Sequence, residues 1–177
     1  LSKYLGISSS KLFFGVGSDE IIDLIIRIFC EPEKDSVLIP QPTYGMFKVA
    51  CDVNNIKVVE VPLNRNFQLN PKLVLDSVKK NSKIIFLCSP NNPTGNSLNR
   101  RSVLQVVKNF KGIVVVDEAY IDFCADKSFI KEINNFKNLV IIRTFSKAWG
   151  LAGVRCGYSI ADEFITDLLF KVKAPYN

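Results

Sequence analysis

The chain has 177 residues, 47% of them hydrophobic, and a formal net charge of +6 without a single histidine. This length suffices for one α/β domain with a sizeable core, and the hydrophobic share argues against a disordered chain. The lysines are scattered, which predicts no nucleic-acid partner, and the lack of a long apolar run predicts no membrane span. The lack of histidine excludes a Ser-His-Asp triad and a histidine-ligated metal within this segment.

The cysteines add a second exclusion. They lie at positions 30, 51, 88, 124 and 156, and no two of them form a Cys-x-x-Cys pair. This spacing favours reduced thiols in a cytoplasmic protein over a disulfide framework or a metal site. We therefore expect a cytoplasmic protein without a bound metal.

Strand-like and helix-like segments alternate along the chain, a pattern typical of βαβ units around a mostly parallel sheet. Segments 83–89, 112–117 and 139–144 are almost continuously apolar, as expected when helices cover both faces of a sheet. The sequence thus predicts an α/β fold with three layers, α/β/α. In chain order, the predicted strands are 37–40, 57–61, 83–89, 112–117, 139–144 and 156–161, and the predicted helices are 20–30, 44–53, 71–79, 99–109 and 161–173.

The last predicted strand, 156–161, differs from the others in its connection. The turn that precedes it is too short to hold a crossover helix. We therefore expect this strand to be antiparallel to its neighbour. The chain begins with Leu1 and stops at Asn177 just after Ala-Pro-Tyr, so we expect both ends to be cuts through a larger protein, with residues 1–177 forming one domain or most of one.

Glycines precede the first predicted helix, in the string Gly15-Val-Gly-Ser-Asp-Glu20. Because glycines let the backbone turn sharply, the N–H groups of the first helical turn can present to an anion. An ordinary helix cap is the competing interpretation of Ser18 and Asp19. Ser146 and Arg155 add a hydroxyl and a guanidinium, which binds phosphate bidentately. Together these groups would form a phosphate site.

Asp117 ends the most apolar strand, and Tyr120 follows three residues later. A buried carboxylate needs a partner, and a protonated ring nitrogen of a bound heterocycle would provide one. The alternative is that Asp117 caps the next turn. For Tyr120, hydrogen bonding to a ring oxygen competes with simple packing.

Two loops carry the remaining candidates. The loop Ser89-Pro-Asn-Asn-Pro-Thr-Gly95 contains two prolines and would hold the Asn92 amide in one orientation, although a plain turn is the alternative. Tyr44 offers an aromatic face for stacking, and packing on the core is an equal possibility.

Lys147 lies in a Ser-Lys pair just after the strand 139–144. A lysine in such a place is usually a solvated surface charge. Here the other candidate residues also follow apolar strands, and open α/β sheets bind ligands at the carboxyl ends of their strands. An amine, an acid, a phenol and an amide that converge there indicate a lysine that reacts with a bound cofactor.

Five motifs occur in a characteristic order along the chain: Gly-Ser-Asp-Glu, Pro-Thr-Tyr, Ser-Pro-Asn-Asn-Pro-Thr-Gly, Val-Asp-Glu-Ala-Tyr and Ser-Lys-Ala-Trp-Gly-Leu-Ala-Gly-Val-Arg. Together they resemble the large domain of the fold-type-I pyridoxal-phosphate aminotransferases, most closely the histidinol-phosphate branch. The strings Gly17-Ser-Asp-Glu-Ile-Ile-Asp-Leu, Arg143-Thr-Phe-Ser-Lys and Lys173-Ala-Pro-Tyr-Asn weigh most for that branch. The resemblance covers essentially the whole chain.

The resemblance implies a role for each candidate residue. Lys147 would be the Schiff-base lysine and general base, and Asp117 would pair with the pyridine nitrogen. Tyr120 and Asn92 would bond the ring hydroxyl, with Tyr44 against the ring. The phosphate would be held by Ser146, by Arg155 and by the backbone at Ser18 and Asp19.

The implied function is transamination of histidinol phosphate with 2-oxoglutarate by a homodimer. By the same resemblance, the small C-terminal domain that clamps the substrate carboxylate is missing, so the chain by itself could be an inactive cofactor-binding domain. An aminotransferase for another amino acid, such as an aromatic one, and a phosphothreonine decarboxylase are alternatives on the same fold. A regulator that senses the cofactor without turnover is an alternative of another class.

Overall fold

A computed structural model describes residues 1–176, so Asn177, the end of the string Lys173-Ala-Pro-Tyr-Asn, lies outside the described residues. Helices and strands alternate as expected, and short 3₁₀ turns join several of them. The helices are α1 (Ser2–Leu5), α2 (Gly17–Phe29), α3 (Met46–Val53), α4 (Pro71–Asp76), α5 (Arg100–Asn109) and α6 (Glu163–Val172). The strands are β1 (Leu12–Val16), β2 (Ser36–Gln41), β3 (Lys57–Pro62), β4 (Ser82–Cys88), β5 (Ile113–Asp117), β6 (Leu139–Thr144) and β7 (Cys156–Ile160).

The seven strands form one sheet in the order β1-β7-β6-β5-β4-β2-β3. Strands β2 to β6 are parallel to one another, and β7 is antiparallel to both β6 and β1. The predicted antiparallel strand after the lysine turn is therefore confirmed.

Strand β1 was not predicted. Its five residues lead directly into α2, and its pairing partner β7 lies about 140 residues later in the chain. The sequence of Leu12–Val16 shows no clear alternation of polar and apolar residues, so only its pairing with β7 identifies it as a strand. Its addition places β7 inside the sheet, between β1 and β6.

Two apolar clusters lie on opposite faces of the sheet and complete the three layers. One is formed by α2, α3 and α6 and includes Ile25, Phe47 and Leu169. The other is formed by α4 and α5 and includes Val74 and Val106. No helix among residues 1–176 is long and apolar enough to cross a membrane.

Candidate active site

A cavity opens at the carboxyl ends of the parallel strands. Six of the nine predicted site residues line it, and they come from five separate segments of the chain. The lining consists of Ser18, Tyr44, Asn92, Asp117, Tyr120 and Lys147, together with Cys88 and Ala119. The fold thus brings most of the predicted residues together at the edge where parallel sheets bind ligands.

Asp117 is the last residue of β5 and is 2% exposed. Within residues 1–176 its carboxylate forms no ion pair and has one hydrogen-bond donor, the Ala119 N–H at 2.8 Å. Burial raises the pKa of Asp117 to about 7, the Ala119 bond opposes that rise, and nearby Asp19 adds to it. Because its charge is buried without an ion-pair partner among residues 1–176, the Asp117 carboxylate would be stabilised by a ligand that places a positive charge in the cavity.

Lys147 is exposed in the turn after β6. The turn forms because Thr144 Oγ1 accepts the Ser146 N–H at 3.1 Å and Lys147 carbonyl accepts the Gly150 N–H at 3.0 Å. The Lys147 Nζ lies 5.3 Å from the centre of the Tyr120 ring. Because Tyr120 follows β5 and Lys147 follows β6, the parallel pairing of these strands brings the two side chains together.

The first turn of α2 lies beside the cavity, and no side chain caps it. Glu20 reaches back to accept the Val16 N–H at 2.7 Å, and Gly17 donates its N–H to the Arg155 carbonyl at 3.1 Å. Gly157 allows this approach, since a Cβ there would overlap the backbone of Gly17 and Ser18. An uncapped helix N-terminus of this kind suits an anion.

Arg155 lies on the same side of the site. A Cβ on Gly17 would come within 2.8 Å of the Arg155 Nη2, so the guanidinium covers the start of α2. Arg155 has φ of 52°, in the left-handed region that side chains other than glycine rarely adopt. Ser146 does not line the cavity; its hydroxyl accepts a hydrogen bond from Thr144 Oγ1 at 3.0 Å.

The Tyr44 ring borders the cavity, and its hydroxyl donates to the Asp19 carboxylate at 3.1 Å. Burial raises the pKa of Tyr44, and the neighbouring Asp19 charge raises it further. The phenol therefore stays protonated and can keep donating. Asp19 is thus held by Tyr44 at the first turn of α2.

Sequence reasoning missed three contributors. Asn91 joins the loops that carry Tyr44 and Asn92, because its amide donates to the Pro42 carbonyl at 3.0 Å and accepts from the Thr43 hydroxyl at 2.8 Å. Cys88 pairs with Asp117 in the register of β4 and β5, and its place on the cavity face could have been read from strand alternation.

The third is a buried ion pair behind the cavity, between Glu118 and Arg143, whose Oε2 and Nη2 are 2.8 Å apart. Glu118 lies in the Val-Asp-Glu-Ala-Tyr motif and Arg143 begins the string Arg-Thr-Phe-Ser-Lys, but only the register of β5 against β6 shows that the two side chains meet.

The family model described as "Aminotransferase class I and II" matches residues 1–177. The chain belongs to this aminotransferase family. A curated relative, the histidinol-phosphate aminotransferase of Parabacteroides distasonis, is 54% identical over 172 residues, which are 97% of this chain and 50% of that protein. The chain thus spans about half the length of the curated relatives that it matches.

Solved aminotransferase structures agree with this fold. The histidinol-phosphate aminotransferase from Clostridium acetobutylicum matches with a TM-score of 0.90 at 27% identity, over 99% of this chain and 53% of that one. The histidinol-phosphate aminotransferase from Sinorhizobium meliloti, in complex with pyridoxal-5'-phosphate, matches with a TM-score of 0.87 at 24% identity. The match covers 97% of this chain and 48% of that one. At that identity the second match supports the fold alone.

Proposed function

We propose that this chain is the cofactor-binding large domain of a pyridoxal-phosphate aminotransferase that acts on histidinol phosphate. The observation that carries the proposal is the buried Asp117 carboxylate, which lines the same cavity as Lys147 and has no cationic side chain bonded to it among residues 1–176. The 54% identity to a protein named histidinol-phosphate aminotransferase supports the choice of substrate.

The residues present fit pyridoxal phosphate at both of its charged ends. A protonated pyridine nitrogen would neutralise Asp117, whose raised pKa marks an unfavourable buried charge. The phosphate would meet the uncapped first turn of α2 at Ser18 and Asp19, with Arg155 beside it and Ser146 at the lysine turn. In this proposal Tyr44 lies against the ring, and Tyr120 and Asn92 bond its hydroxyl.

When bound, the cofactor supplies an aldehyde that reacts with amines and a ring that withdraws electrons from the substrate α-carbon. The Lys147 Nζ would hold the cofactor through that aldehyde carbon. Once free, the same Nζ would act as the general base that takes and gives back the proton of the substrate α-carbon. Asp117 would keep the ring nitrogen protonated.

The other half of the reaction needs groups outside this chain. We propose that a small C-terminal domain binds the substrate, that 2-oxoglutarate is the second substrate, and that the complete protein is a cytoplasmic homodimer. Support for an assembly comes from large apolar side chains that stand exposed near the lysine turn. Tyr4 and Phe123 are each 70% exposed, Val154 is 64% exposed and Trp149 is 47% exposed.

Substrate choice is tested with the full-length protein loaded with pyridoxal phosphate. Rates of amino transfer to 2-oxoglutarate are compared for histidinol phosphate, phenylalanine and tyrosine, and carbon dioxide release is measured with O-phosphothreonine. We expect histidinol phosphate to be preferred by kcat/KM. Equal or faster transfer from the aromatic amino acids would reject the histidinol-phosphate assignment, and carbon dioxide release without amino transfer would indicate the decarboxylase. A bound cofactor without any turnover would indicate the regulator.

A further inference from the structure

A buried ion pair with several hydrogen bonds lies directly behind the candidate active site. Glu118 is 0% exposed and Arg143 is 6% exposed. The Arg143 Nη2 and Nε lie 2.8 Å and 3.0 Å from the Glu118 Oε2. The Ser128 hydroxyl donates to the same oxygen at 2.9 Å, and the Phe129 N–H donates to the Glu118 Oε1 at 2.6 Å. Both carboxylate oxygens are therefore occupied.

The position of the pair links it to the two central residues of the site. Glu118 directly follows Asp117, and its N–H donates to the Ile142 carbonyl at 2.8 Å. Arg143 is the next residue of β6, four positions before Lys147. The ion pair thus joins β5 and β6 at the point where both strands end.

The pair and the cavity lie on opposite faces of the sheet. Asp117 pairs in register with Ile142 and Cys88, whose side chains belong to the cluster under α2 and α3. Because side chains alternate along a strand, Arg143 points to the other face. Glu118 also contacts Ser128 and Phe129, which lie on that face beside α5.

Stability alone is a weak reason for such a pair, since apolar side chains of similar size often stabilise a core as well as a buried ion pair does. A directional network does something that apolar packing does not, because it fixes the rotation of the backbone that carries it. The fixed backbone here includes Ala119, whose N–H is bonded to the Asp117 carboxylate. Tyr120 is the next residue.

We propose that the Glu118–Arg143 ion pair is a positioning element that holds Asp117 and Tyr120 in register with Lys147. This inference rests on the proposed function, because it concerns how the same residues meet pyridoxal phosphate. Neither Glu118 nor Arg143 lines the cavity, and they act through the residues beside them.

The test uses the full-length protein and a readout other than turnover. Cofactor bound through a lysine gives a visible absorption band that titrates with pH. The midpoint of that titration depends on a positive ring nitrogen, because a nearby positive charge disfavours protonation of the bound amine. If Asp117 moves away from the ring nitrogen, the ring loses its charge and the midpoint rises.

Three variants separate positioning from general destabilisation. Glu118→Gln keeps the shape of the side chain and removes the charge. Ser128→Ala removes one bridging hydroxyl and leaves the ion pair in place. Glu132→Gln is the matched control: the Arg100–Glu132 pair, with 2.7 Å between its charged atoms, tethers the same loop, since Arg100 also donates to the Ser128 carbonyl at 2.8 Å. That control pair does not touch the Asp117 segment.

Glu118→Gln is expected to raise the midpoint by about 1 pH unit and to weaken cofactor binding about tenfold. Ser128→Ala is expected to shift both in the same direction by a smaller amount, and Glu132→Gln to leave both unchanged. If Glu118→Gln does not fold, Ser128→Ala alone decides. An unchanged midpoint in the folded variants, or an equal shift in Glu132→Gln, overturns the proposal. A wild-type protein without any lysine-dependent band refutes the proposed function instead.

Discussion

Lys147 and Tyr120 meet across the ends of neighbouring strands, with the lysine Nζ 5.3 Å from the centre of the tyrosine ring. A cation at that distance from an aromatic face is weakly attracted to it. The phenol contributes a second, separate property, since its hydroxyl forms no hydrogen bond within residues 1–176 and could bond a ligand oxygen. Phenylalanine would keep the first property and remove the second.

Tyr120→Phe is therefore expected to leave the unfolding free energy within about 0.5 kcal/mol of wild type, while the pH midpoint of the lysine-dependent absorption band rises by about 1 unit. The reason is that the phenol stabilises negative charge on the ring oxygen, which would otherwise favour a protonated lysine nitrogen. Spectrophotometric pH titration measures the midpoint, and Tyr176→Phe serves as the control because Tyr176 is 85% exposed and does not line the cavity. An unshifted midpoint would remove Tyr120 from the site.

Asp117→Asn is expected to change the stability of the cofactor-free protein and its affinity for the cofactor in opposite directions. Burial raises the pKa of Asp117 to about 7 from an ordinary value of 3.8, so the folded state holds this proton more tightly than the unfolded state does. The cofactor-free wild-type protein should therefore lose stability as the pH rises through that interval, by a total of ~4 kcal/mol. The asparagine variant keeps the acceptor for the Ala119 N–H and lacks this loss.

Urea unfolding without cofactor checks this expectation at about pH 4 and about pH 8. The variant should match wild type at the lower pH and exceed it at the higher pH, and yet it should bind pyridoxal phosphate more weakly. If wild type and the variant are equally stable at both pH values, Asp117 carries no unfavourable charge in the folded protein.

Gly157→Ala tests the close approach of β7 to the first turn of α2. The added Cβ would overlap the backbone of Gly17 and Ser18, so α2 must shift. We expect a loss of about 1–3 kcal/mol in unfolding free energy together with weaker phosphate binding. Gly153→Ala is a matched control four residues away, where a Cβ meets nothing within 4 Å. Similar losses in both variants would argue against the overlap as the cause.

Arg155→Gln tests the phosphate site. The variant should bind pyridoxal phosphate about tenfold more weakly and bind pyridoxal, which lacks the phosphate, with unchanged affinity. Fluorescence titration with both ligands measures the ratio, and the exposed Arg101→Gln is the control. Parallel weakening for both ligands would show that Arg155 acts on the fold and not on the phosphate.

Much of this molecule could be predicted from local patterns. The parallel centre of the sheet was predicted from the apolar runs of β4, β5 and β6. The antiparallel direction of β7 was predicted from the short turn before it. The predicted helix ends were less accurate. Residues in the first or last turn of a helix lack some of its backbone hydrogen bonds, so they can be helical or can leave the helix without a clear change in the sequence pattern. Helix α2 begins at Gly17, not at residue 20, and α4 ends at Asp76, not at residue 79.

The unpredicted features all depend on contacts between distant parts of the chain. Strand β1 is defined by pairing with β7, and the Glu118–Arg143 pair needs the register of β5 against β6. Asn91 and Asn92 are adjacent and chemically equal, so sequence alone could not show that Asn91 bonds the neighbouring loop while Asn92 faces the cavity. Such assignments require knowledge of which way each side chain points.

The visible spectrum of the full-length protein mixed with pyridoxal phosphate tests the central claim most directly. Lys147→Ala is compared with wild type and with Lys171→Ala, which removes an exposed lysine on α6. Wild type and the Lys171 variant should show the same pH-dependent band, and the Lys147 variant should show only the spectrum of free cofactor. A band that persists in Lys147→Ala, or that is missing from wild type, would contradict the assignment of Lys147.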